Sequence, residues 1–201
     1  MAPERSNIRL EGKLINLREF RKSDAPEVRR YCRDPHVARY TMIPQPYKAE
    51  YASEYIRRSQ KEMVKGSSIN LAIEFPATGE VIGGIALMKI SKSNLNAEVG
   101  FVLSRRFWGK GFVSEALWLM MKLGFLEMKF RRIYAHVKHP NIASMKVLQK
   151  NGFIEEAVMR KALFHRRQWF DTHHFGILIE EYRALRLKRR QCGSTDHQIM
   201  S

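Results

Sequence analysis

The chain has 201 residues, 44% of them hydrophobic and 28% charged, which excludes a largely disordered protein and suits one globular domain with its own core. Lys and Arg number 36 against 20 Asp and Glu, a formal charge of +16, which favours polyanionic company (nucleic acid, a ribosome, a phosphate-rich small molecule) and equally fits a solvated basic surface with no partner. No apolar run approaches the ~20 residues of a membrane span, the start MAPERSNIRLEG has no signal-like apolar stretch, and Cys32 and Cys192 form no CxxC, so neither insertion, export, a disulfide framework nor a zinc knuckle is expected and the cytoplasm is the expected compartment.

Residues 1–12 are polar and read as a loose N-terminal segment. Residues 14–20 alternate apolar and polar as a strand does, and Ser23 or Asp24 can cap a helix over 25–33. A connector with Pro35, Pro44 and Pro46 leads to a second helix over 48–65 that closes near Gly66. Residues 69–75 and 81–90 read as a hairpin turned by Pro76 and Gly79, and 96–104 as a further strand. An apolar helix follows, with Val113, Ala116, Leu117 and Met120 on one face. Residues 131–138 are strand-like, 141–152 form a short helix ended by Gly152, and two long strands over 153–163 and 168–180 complete the domain. From Arg183 to Arg190 five of eight residues are basic, and the last ten look disordered. The pattern predicts a single α/β (α+β) domain over 13–183, with a basic, then polar, tail over 184–201.

The segment Arg105-Arg106-Phe107-Trp108-Gly109-Lys110-Gly111-Phe112 carries the most chemistry, because it leaves a strand and opens a helix. Gly109 and Gly111 let backbone N–H groups approach an anion, the helix N-terminus adds unpaired donors, and Arg106 and Lys110 add counter-charge; a pyrophosphate is the natural guest. A tight turn accounts for the two glycines equally well. The spacing fits neither GxxxxGK[ST] nor GxGxxG, which disfavours a nucleoside triphosphatase or a Rossmann dehydrogenase.

Arg106-x-x-Gly109-x-Gly111 resembles the acyl-CoA pyrophosphate loop of the GNAT N-acetyltransferase superfamily. Ser114-Glu115-Ala116, the pair of blocks Asn141-Ile142-Ala143-Ser144 and Lys150-Asn151-Gly152-Phe153, and the early Leu17-Arg18, Asp24 and Pro46-Tyr47 resemble the Rim-type branch, which contains ribosomal-protein alanine N-acetyltransferases. The resemblance implies a mixed, mostly antiparallel central sheet flanked by helices, and acetyl-CoA as co-substrate. It implies pantetheine pairing with the backbone of Phe101, Val102 and Leu103 as with an added strand, and an oxyanion-stabilising N–H near Leu103. It also implies pyrophosphate contacts from Arg106 and from Gly109, Lys110, Gly111 and Phe112, and a hydrogen bond from Asn141.

Direct attack on a thioester requires a neutral amine. At pH 7 about a tenth of an α-amine is neutral, against about 0.04% of a lysine side chain, so an α-amine needs less help from a base. Glu98, on the strand feeding the loop, is the candidate base; a solvent-facing glutamate is its plain alternative. His136 is a candidate proton relay or a sheet-face histidine. The slot where some superfamily members carry a tyrosine acid holds Leu148, so Ser144 is the nearest polar substitute, or a helix-capping residue. His136, His139, His173 and His174 offer no complete ligand set, so no metal is expected. The acceptor reading is a protein or peptide N-terminus, ribosomal by the branch resemblance, with ribosome or RNA contact through the basic surface. The alternatives are a small-molecule amine, or an RNA- or ribosome-binding module on an inactive scaffold. Monomer and homodimer both remain open.

Overall fold

Strands β1 (Arg9–Glu11), β2 (Asn16–Glu19), β3 (Ile69–Phe75), β4 (Glu80–Ser91), β5 (Asn96–Leu103), β6 (Arg132–Lys138), β7 (Ile154–His165) and β8 (Gln168–Leu178) join in one sheet. Its order is β1-β2-β3-β4-β5-β6-β8-β7. Among the described residues only β5 and β6 pair in parallel; every other pair is antiparallel. The helices are α1 (Ala25–Cys32), α2 (Pro35–Ala38), α3 (Ala49–Lys65), α4 (Phe112–Lys122), α5 (Ile142–Lys150) and α6 (Ile179–Thr195). This computed structural model describes residues 8–195; the expectations for residues 1–7 and 196–201 lie outside the described residues.

Alternation along the strands divides the interior into two cores. Leu71 and Ile73 of β3 join Ile133 of β6, Phe175 of β8 and Leu117 and Met120 of α4 on one face. Ala72 faces the other way, into Phe20, Val28, Tyr31 and Ile56 beneath α1 and α3. Under that second core Arg18 is buried. It donates to Asp24 at 2.8 and 3.0 Å and also to Glu74. Asp24 therefore does not cap α1 with its side chain as expected: its carboxylate accepts from Arg18 and from the Arg21 N–H at 2.7 Å instead.

Most elements start and stop within a few residues of their expected ends, and three regions differ. Residues 9–11 are not loose but pair with β2, giving the backbone polar groups of that strand's outer edge partners. The Pro-rich connector contains α2, capped by Asp34, whose Oδ1 accepts from the His36 N–H at 2.8 Å. The last expected strand ends at Leu178, and the expected tail from 184 continues α6 through Thr195. Ile179 and Tyr182 bury against the first core with Leu185 beside them, Tyr182 stacks on Phe125 at 5.1 Å, and Arg189 lies 3.9 Å over Trp118. Packing thus holds a helix whose charge run reads as solvated. Among the described residues no helix is long and apolar enough to cross a membrane.

Candidate active site

β4 and β5 stay paired as far as Gly83 and Leu103, while β5 and β6 pair only from Asn96–Arg132 to Glu98–Tyr134. Beyond that point the two parallel strands part, and the edge of β5 turned towards β6 keeps backbone groups without a ladder partner. The gap opens into a cleft of about 350 Å³. Phe101, Val102 and Leu103 form one wall, Asn141 and Ser144 of α5 the opposite one. Gly109, Gly111 and Phe112 lie along it as well, and Tyr40 and Thr41 reach it from the segment after α2.

The loop before α4 follows from its glycines. Gly109 (φ 75°) and Gly111 (φ 84°) both sit in the left-handed region, where a side chain is strained. A Cβ on Gly109 would meet nothing within 4 Å, and one on Gly111 would meet only Leu14 Cδ1 at 3.8 Å. Gly111 is the N-cap of α4 and brings no capping side chain, so the first-turn N–H groups have no intrahelical acceptor and point their positive dipole end outward. Glu115 fixes this corner: its carboxylate accepts from the N–H groups of Lys13, Leu14 and Ile15 at 2.7, 2.7 and 3.0 Å. An extended acyl-pantetheine with a pyrophosphate fits these features: an open strand edge, no Cβ at Gly109 and Gly111, and an uncapped helix start.

Two expected contributions differ in detail. The Trp108 indole donates to the Leu103 carbonyl at 2.8 Å, so that carbonyl already has one partner. Arg106 and Lys110 are not among the cleft-lining residues. The Arg106 guanidinium pairs with Glu80, which Arg30 also contacts, and the Lys110 ammonium lies 5.8 Å over Phe107. Lys146 and Lys150, one turn apart on α5, line the cleft instead. Lys150 opens one of the blocks that carry the family resemblance, but that it and Lys146 share a cleft wall follows only from the fold.

The three expected catalytic residues separate into two groups. Glu98 and His136 come together on the sheet face away from α4, with His136 Nδ1 3.3 Å from Glu98 Oε1; the Lys89 ammonium is 2.7 Å from Glu98 Oε2. Ser144 is apart from them, in the first turn of α5, where its N–H donates to Asn141 Oδ1 at 3.3 Å. That bond makes Asn141 the cap of α5 and leaves its amide NH₂ outside the cap. His174, considered in the sequence only as a metal ligand, lies opposite His136 in the β6–β8 register, ring centroids 4.1 Å apart. Burial, and then the neighbouring His136, hold the His174 imidazole below its ordinary pKa, and its Nε2 is 3.0 Å from Thr172 Oγ1. Glu98, His136, His174 and Thr172 thus make a continuous polar row across three strands.

Residues 15–154 match the acetyltransferase (GNAT) domain family. The chain belongs to the GNAT acetyltransferase family. It is 31% identical to the uncharacterized N-acetyltransferase p20 of Bacillus licheniformis, over 84% of this chain and 94% of the relative. A GNAT-family acetyltransferase from Bacillus anthracis superposes with a TM-score of 0.76 at 26% identity, covering 86% of this chain and 99% of the other. A ribosomal alpha-N-protein acetyltransferase in complex with coenzyme A shares the fold at a TM-score of 0.79 and 20% identity, over 87% and 99% of the two chains. The activity is N-acetyl transfer, on a mixed eight-stranded sheet flanked by helices.

Proposed function

We propose that this N-acetyltransferase moves the acetyl group of acetyl-CoA to the α-amino group of a protein or peptide N-terminus, with Glu98 and His136 taking up the proton. The observation that carries this reading is the Glu98 carboxylate, held between Lys89 and His136 beside the point where β5 and β6 part. The cleft supports the cofactor half: acetyl-CoA brings a thioester, and the chain meets it with the β5 edge, the Asn141 amide and the bare start of α4. The cofactor-bound ribosomal alpha-N-protein acetyltransferase of the same fold supports the acceptor half.

In this reading the neutral acceptor nitrogen attacks the thioester carbonyl carbon and the C–S bond breaks. The acceptor's proton passes to Glu98, directly or through His136, and the carbonyl oxygen's developing charge is met by an unpaired N–H on β5. The departing thiolate, with an ordinary pKa of ~8.5, needs only a weak acid; the Ser144 hydroxyl in the cleft wall is the group to supply it. An α-amine suits a site with one carboxylate and one imidazole, because its ordinary pKa of about 7.7–8.0 leaves little deprotonation to be driven.

Thiol release from acetyl-CoA tests the reading, with free-N-terminus peptides, their Nα-blocked lysine-containing twins and spermidine as acceptors. Turnover confined to free N-termini is expected. Turnover confined to spermidine or to the blocked twins overturns the acceptor class.

A further inference from the structure

Lys138 ends β6 and is only 8% exposed. Its ammonium donates to the Arg39 carbonyl at 2.7 Å, lies 3.1 Å from His165 Nδ1 and sits 4.5 Å over the Phe170 ring. Burial lowers its pKa, and the charges of Arg166 and Arg39 push the same way. His165 is lowered too, by burial and then by Lys138 and Arg166. Arg166, on the turn between β7 and β8, reaches the carbonyls of Ala38 and Ile43 at 3.4 Å. Among the described residues none of Lys138, Arg39 and Arg166 has a carboxylate partner, although Asp and Glu pair with cations in many other places. Clipping the 38–43 segment to the β7–β8 hairpin requires only N–H donors. It does not call for three uncompensated charges, which repel one another and, in the buried one, carry a desolvation cost.

The cluster borders the cleft through Tyr40. Tyr40, next to Arg39 and with its ring 5.9 Å from the Lys138 ammonium, lines the cleft. Lys138 lies on the same sheet face as Glu98, His136 and His174, and opposite Thr172 in the β6–β8 register. It lies two positions along β6 from His136, about 7 Å. We propose that Lys138, Arg39 and Arg166 form an anion subsite that selects acceptors carrying a carboxylate close to the amine that is acetylated. The inference rests on the acceptor amine reaching Glu98 and His136, and it deepens the N-terminal reading: the favoured N-terminus has an acidic residue within its first few positions. Exposed Arg39 and Arg166 would meet the carboxylate first, with Lys138 behind them, giving charge-assisted hydrogen bonds to a group that arrives already ionised.

The test compares peptides that differ only at position 2, Ser-Asp, Ser-Asn and Ser-Lys, by kcat/KM, and titrates the Ser-Asp and Ser-Asn peptides calorimetrically into protein saturated with CoA, which cannot react. Wild-type protein should prefer Ser-Asp over Ser-Asn by at least about tenfold in both readouts, with Ser-Lys poorer still. Arg166→Gln and the double variant Arg39→Gln/Arg166→Gln, both at exposed positions, should narrow that preference to about twofold or less, because the Ser-Asp peptide loses far more than the Ser-Asn peptide. A loss shared equally by the two peptides would mark a structural clip, and equal use of them by the wild-type protein would remove the subsite; either result overturns the inference. Aspartic acid α-amide and asparagine α-amide run in parallel. Preference for the aspartic acid amide with no peptide turned over would sustain the subsite while refuting the protein N-terminus as acceptor.

Discussion

The cleft behind β5 and the polar face in front of it meet at the same strand yet are built from different materials. The cleft works with main chain: the open edge of β5, the start of α4 and two glycines at φ values that residues with a side chain seldom adopt. The face works with side chains brought from β4, β5, β6 and β8, each carboxylate or imidazole oriented by the next. Backbone donors at a fixed geometry suit a ligand that is always the same, a pyrophosphate on an extended arm. Side chains on separate strands can be exchanged without disturbing the ladder, so specificity for a variable acceptor has a place to change. The two regions should therefore fail separately.

The largest expected effect is on the face. Glu98→Gln should lower kcat by about a hundredfold in steady-state assays while the acetyl-CoA KM moves less than about twofold. A parallel loss of acetyl-CoA affinity would mean that the two regions are one. Gly111→Val should do the reverse, raising the acetyl-CoA KM by about tenfold or more, since a β-branched side chain at φ 84° costs about 1–3 kcal/mol unless the loop moves. Glu115→Gln removes the charge from three N–H contacts that tie Lys13–Ile15 to α4. A stability loss of about 1–3 kcal/mol in urea unfolding is expected, with a modest rise in acetyl-CoA KM.

The smallest effect lies away from both regions and calibrates them. Burial works to raise the Glu74 carboxyl, but its hydrogen bond to Arg18 and the charges of Arg18 and Arg9 outweigh that and hold it below the ordinary carboxylate pKa. A depressed folded-state pKa stabilises the protein above the unfolded value, and that contribution is lost as pH falls through the folded one. Glu74→Gln should therefore cost about 1–2 kcal/mol at pH 7, with the gap from the wild type closing below about pH 4. Catalysis at neutral pH should be unaffected.

How much could be read beforehand follows the same division. The loop from Arg105 to Phe112 and the helix after it are contiguous, so glycine spacing and apolar period were enough to find both. The Glu98–His136 contact was half legible: each residue stood out, but their meeting depends on where parallel β5 and β6 are in register. His174 and Lys138 were not legible as site residues. Their partners come through the β6–β8 register and through Arg39, 99 positions before Lys138, and nothing in local sequence fixes those pairings. Arg106 was read as a free counter-charge because Glu80, 26 positions earlier, is brought to it only by the sheet. α6 was not expected at all, because residues 179–180 read as the end of a strand and the basic run from Arg183 obscures the helical spacing of Ile179, Tyr182 and Leu185 that packs it down.

The most direct test of the account uses one peptide that carries both a free serine α-amine and an internal lysine, incubated with acetyl-CoA and the full-length protein at pH 7. Fragment-ion mass spectrometry then locates the acetyl group. Acetyl on the α-nitrogen alone, with its appearance slowed about a hundredfold by Glu98→Gln, is the predicted result. Acetyl on the lysine side chain, or α-acetylation that proceeds at the same rate without the Glu98 carboxylate, would contradict it.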